Sequence, residues 1–146
     1  MKKPVILKFI QSVSRNPSNQ ISNIERDIDF YSIPESSGAY LILSSKEEFI
    51  YPSGKSRVIY IGMSTNLRRS IKNHVKNFDE LKGIPKNKRK NFWYYSRYNY
   101  MVKFGCRIIW YTTKGTETPK SLESKLIEDF YSQFHSLPIG NGAFSY

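Results

Sequence analysis

The sequence predicts an α/β (α+β) fold: a small, three-stranded, mainly antiparallel sheet flanked by helices. Three observations predict it. Apolar runs rich in β-branched and aromatic residues, "GAYLILSS" (38–45), "RVIYIG" (57–62) and "GCRIIWYTT" (105–113), end in glycine or hydroxyl residues, as buried strands do. Leu67, Ile71 and Val75, and later Leu122, Leu126, Phe130 and Phe134, recur at the spacing of one helical face. A chain of 146 residues makes one domain, and at this size roughly 68–70% of the unfolded surface can be buried.

Residues 1–37 read as an N-terminal extension: a short helix in "PVILKFIQSV", a polar loop in "SRNPSNQISN", and a second short helix or turn in "IERDIDFYSIP". The domain proper then covers 38–146. Its first two strands are joined by "EEFIYPSGKS", a turn punctuated by Pro52 and Gly54, and so short a connection makes them an antiparallel pair. Asn66 suits an N-cap, which puts a helix over 67–77. Thr118-Pro119 is an N-cap followed by proline at the first helical position, so the second apolar stripe also forms a helix, with Glu123 in its first turn. Pro138 prevents its continuation into "SLPIGNGAFSY".

Composition narrows the function. Cys106 is the single cysteine, which excludes an internal disulfide, and with only His74 and His135 beside it a structural zinc site is not expected. Lys8 interrupts the apolar start of the chain and no small-residue cleavage site follows it, which argues against a signal peptide. No run approaches the ~18 apolar residues of a membrane span. The expectation is a soluble, cytoplasmic protein with no membrane partner. A net charge of +11 and a pI near 9.7 point to a polyanion.

The charge is concentrated between Gly83 and Arg107, a basic, aromatic insert. Lys86, Lys88, Arg89, Lys90, Arg97, Lys103 and Arg107 lie there without one acidic residue, interleaved with Trp93 and six Phe or Tyr side chains. Some of those rings are core. The lysines and arginines beside stacking surfaces point to nucleic-acid contact, with Arg68 added from the preceding helix. DNA is the expected partner and RNA is the alternative.

In order, these pieces resemble the GIY-YIG nuclease family. Gly38-Ala39-Tyr40 corresponds to the first signature and Tyr60-Ile61-Gly62 to the second; "NLRRSIKNH", "SLESKLIEDF" and "LPIGN" resemble the following helix, the glutamate helix and the closing loop. The resemblance implies a metal-dependent DNA endonuclease. It would place Tyr40 and Tyr60 near the scissile phosphate, with His74 one turn beyond the arginine position. Glu123 would ligate Mg²⁺ or Mn²⁺, and Asn141 would support the site. Such a tyrosine passes on a proton from water when positive charge lowers its pKa from ~10.

One departure bears on activity. Ser70 stands ten residues after Tyr60, where the family carries its catalytic arginine. Arg68 and Arg69 adjoin it; successive helical positions point about 100° apart, so Arg69 is the catalytic candidate only by a bent side-chain path or a shifted helix. Two alternatives therefore stay open beside the endonuclease: a catalytically impaired DNA-binding module on the same fold, and an RNA-binding or RNA-cleaving protein.

Overall fold

The computed structural model describes residues 19–21, 29–85, 88 and 96–141. The expected helix over 4–13 lies outside them, as do Lys86, Arg89, Lys90 and Trp93 of the insert. Six strands are described: β1 (Asn19–Ile21), β2 (Gly38–Ser44), β3 (Phe49–Tyr51), β4 (Gly54–Ser56), β5 (Val58–Ser64) and β6 (Cys106–Thr112). Three α-helices accompany them: α1 (Leu67–Lys82), α2 (Ser96–Phe104) and α3 (Pro119–Phe134). No helix among the described residues is long and apolar enough to cross a membrane.

The three expected strands form the antiparallel sheet. Its spatial order is β1-β6-β2-β5, so β2 is central and pairs with both β5 and β6. All seven residues of β2 are buried, which explains its continuous apolar run. Two segments differ from the sequence reading. Asn19–Ile21, expected in a polar loop, is a short strand on the edge of β6. The expected turn over 47–56 contains the hairpin β3–β4, whose Phe49 and Tyr51 supply apolar residues that the breakers Pro52 and Gly54 had obscured.

Helices cover both faces. Ala39, Leu41 and Leu43 of β2 face α3, whose stripe Leu122, Leu126, Phe130 and Phe134 is fully or almost fully buried. Tyr40 and Ile42 face the opposite way, toward Leu67, Ile71, Val75 and Phe78 of α1 and Tyr98 and Met101 of α2. This alternation is the period of two expected of a pleated strand with both faces covered. Ile33, from the N-terminal extension, is completely buried in the second layer.

Local signals set the helix limits. The Asn66 side chain accepts from Arg69 N–H at 3.1 Å, and α1 outlasts the expected 67–77 because Phe78 and Leu81 continue its buried face. Thr118 caps α3 in a capping box with Ser121. Glu123 is the fifth residue of α3, one turn deeper than expected. His135 ends that helix in the left-handed conformation, φ 56°, and its Nδ1 is hydrogen-bonded to the Ser53 hydroxyl of the β3–β4 turn.

The α3 layer provides a direct check on the core. Phe130 is fully buried and its ring centroid lies 5.2 Å from Tyr51 and 4.5 Å from Phe134. Phe130→Ala should lower stability by about 3–5 kcal/mol. Urea denaturation should give a lower midpoint with an unchanged slope.

Candidate active site

Strand register brings the two signature tyrosines together. Tyr40 lies opposite Gly62, and Ile42 lies opposite Tyr60, so both tyrosines project from the α1 face. An irregularity after Ile42 pairs Leu43 with Val58 and leaves Ile59 as the extra residue, so Val58 returns to the α3 face. The tyrosine rings sit 6.1 Å apart at 49°. Gly62 permits this: a Cβ there would lie 2.6 Å from the Tyr40 hydroxyl and 2.7 Å from Cε1 of Tyr60.

His74 projects from the buried face of α1 into this pair. Its Nε2 is 2.5 Å from the Tyr40 hydroxyl and its Nδ1 is 2.6 Å from the Tyr98 hydroxyl. Asn77, one turn on, donates its amide to the same Tyr98 oxygen at 3.1 Å. Burial, aided by the charge of Arg97, lowers the His74 pKa to about 4, so the ring is neutral at pH 7. A neutral imidazole donates at one nitrogen and accepts at the other. With the proton on Nδ1, Nε2 is free to receive the Tyr40 phenolic proton.

The expected lowering of the tyrosine pKa does not occur at Tyr40. Burial, and next the neighbouring Tyr60, push it well above its usual value; Arg97 is the influence that lowers it. Tyr40 is therefore a neutral phenol that depends on His74 as an acceptor. Tyr98 and Asn77 complete the chain and were not among the residues predicted. Asn77 carries a weak signal, lying three residues after His74 on the same helix. Tyr98 carries none, because α2 reaches α1 only through tertiary packing.

Glu123 approaches from the other helix layer. Its charge contributes to the raised pKa of Tyr40, its side chain is only 13% exposed, and Lys120 pairs with it at 3.0 Å. Among the described residues no three His, Cys, Asp or Glu side chains converge on one point. A lone carboxylate still suits Mg²⁺, which keeps waters and substrate phosphate in its shell. Asn141 grips the backbone between the signature residues: its Oδ1 accepts from Ile61 N–H and its Nδ2 donates to Ile61 C=O, both at 3.0 Å. Gly140 lets that turn close on β5, since a Cβ there would be 2.5 Å from the Ile59 carbonyl oxygen.

The arginines divide. Arg68 is spent on the N-terminal segment, donating to Ile33 C=O at 2.9 Å and to Glu35 at 2.5 Å. Arg69 is exposed and reaches Thr65 at 3.3 Å. Ser70 bonds the Ser64 hydroxyl at 2.5 Å, filling the end of β5. Arg97 instead comes to the tyrosines, with its guanidinium carbon 4.0 Å above the Tyr60 ring. Lys88 is exposed in a turn after α1. A groove of about 670 Å³ runs over α1, lined by Glu35 and Arg68, which pair with each other, and by Asn66, Arg69, Ser70, Lys72, Asn73 and Lys76. Lys72 and Lys76, four apart on α1, extend the basic surface beyond the residues predicted.

His74 makes stability depend on pH. Its folded pKa, about 4, lies below the ordinary 6.5, so between these values the unfolded chain binds more protons and stability falls as pH falls. The loss should total on the order of 3 kcal/mol by pH 4. Chemical denaturation at a series of pH values should show this slope in the parent and a shallower one in His74→Gln.

Comparison with known proteins adds no relative: no family model matches the chain, and neither does any curated protein or solved structure. The family resemblance stands on the residues themselves.

Proposed function

We propose that this protein is a metal-dependent endonuclease that hydrolyses phosphodiester bonds in DNA with a site of the GIY-YIG type. The observation that carries this reading is the 2.5 Å contact between Tyr40 and His74, with Tyr60 beside it and the charge of Glu123 within reach. A buried phenol hydrogen-bonded to a neutral imidazole is arranged to receive a proton from water while passing its own to Nε2. The basic groove over α1 and the net charge of +11 favour a polyanionic substrate.

Each residue has a separate task. Tyr40 orients the attacking water and relays its proton; Tyr98 and Asn77 hold His74 in the tautomer that accepts it. The charge of a bound phosphate offsets that of Arg97 and so raises the basicity of His74 when it is needed. Tyr60 flanks the phosphate, and Asn141 fixes the backbone that carries it. Glu123 would hold Mg²⁺ or Mn²⁺, which when bound stabilises negative charge on the phosphate and leaving oxygen.

One observation favours a second reading, a DNA-binding module without efficient cleavage. Ser70 occupies the family's arginine position and spends its hydroxyl on Ser64.

Cleavage of supercoiled plasmid with Mg²⁺ or Mn²⁺ separates the two. The parent should nick it and Glu123→Gln should not, while the variant's stability should change by no more than ~1 kcal/mol, the usual worth of an ion pair whose lysine is in solvent. A parent that cuts neither DNA nor RNA rejects the endonuclease. Equal cutting by Glu123→Gln puts the metal elsewhere.

A further inference from the structure

Arg97 is a half-buried cation with no ion-pair partner among the described residues. Its guanidinium makes no hydrogen bond or ion pair with any described residue, and its Nε is buried without a hydrogen-bond partner. Removing even one guanidinium N–H from water without an acceptor is costly. Stacking at 4.0 Å over Tyr60 compensates in part, since a cation is drawn to an aromatic face. It leaves the buried Nε–H without an acceptor among the described residues.

The position is fixed from behind. Arg97 stands in the first turn of α2, and a Cβ on Gly140 would come within 3.1 Å of its own Cβ. The turn that carries Asn141 thus backs the arginine as well. Its charge is felt at both Tyr40 and His74. Neither arginine of α1 competes for the place: Arg68 is engaged with Ile33 and Glu35, and Arg69 is exposed beside Thr65.

The geometry points to Arg97 as the phosphate-binding arginine of this site, holding the non-bridging oxygens of the scissile phosphodiester against Tyr60. The inference rests on the endonuclease reading for its substrate, but the anion site can be tested without cleavage. A planar guanidinium can engage two phosphate oxygens at once and stabilise the charge that builds on them during displacement. The role that Ser70 leaves open in α1 passes to a side chain from α2.

Two measurements on the full chain test this. In single-turnover plasmid cleavage with Mg²⁺, Arg97→Ala should be slower by about 10²–10³, the loss typical of one preorganised donor. Arg97→Lys should recover only part of that rate. Lys55→Ala, exposed on β4 and outside the groove, should stay within about tenfold of the parent. Separately, inorganic phosphate at constant ionic strength should shift the ¹⁵N–¹H signal of the Arg97 Nε, assigned by its loss in Arg97→Lys. Arg97→Ala cutting as fast as the parent would overturn the inference and leave the endonuclease reading intact. Slow cutting without a phosphate shift would also overturn it, making Arg97 a packing residue beneath the site. If the parent cuts no nucleic acid, the endonuclease reading falls and the phosphate titration alone decides whether Arg97 is an anion site.

Discussion

The close approach of Tyr40 to β5 is the constraint on which the site depends. Strand pairing puts Tyr40 opposite position 62, and only a residue without a Cβ leaves room there for the phenol. Given that room, Tyr40 reaches His74, and His74 in turn meets Tyr98 from α2. Three elements distant in sequence are thereby joined by hydrogen bonds between side chains that the core holds still. The energetic stake is high because the chain is buried: a polar group there that loses its partner costs more than the bond was worth.

Burial also decides which proton states are available. The same desolvation that keeps His74 neutral keeps Tyr40 protonated, so the resting site carries its protons where neutral hydrogen bonds need them. Arg97 and Glu123 are the charges at its margin. An anion settling by Arg97 would change the balance for both titratable groups at once, coupling substrate binding to proton transfer without a conformational change.

Much of this was legible in the sequence, for identifiable reasons. The three strands were visible because their apolar runs are long and closed by turn residues, and α3 because its stripe and cap agree. Tyr40, Tyr60 and His74, which the resemblance names, lie in mutual ring contact, and the charge of Glu123 is felt at Tyr40. Two features were hidden. The hairpin β3–β4 has three-residue strands, too short for periodicity to register. Arg97 and Tyr98 sit in a segment whose charge and aromatics suggested an external binding surface, yet α2 turns that chemistry inward. Composition gave the residue types, and the expectation that some rings are core fits buried Tyr98, but which of them turn inward depends on how the nine-residue α2 (Ser96–Phe104) packs.

The amide of Asn141 has one further consequence. β5 is the outer strand of the sheet, and its unpaired backbone groups are a template on which another chain can add a strand. By saturating both groups of Ile61, Asn141 acts as a one-residue counterfeit strand at the midpoint of that edge. β1 occupies the other flank by pairing with β6. An edge strand of only three residues and an edge capped at Ile61 are both poor templates for strand addition.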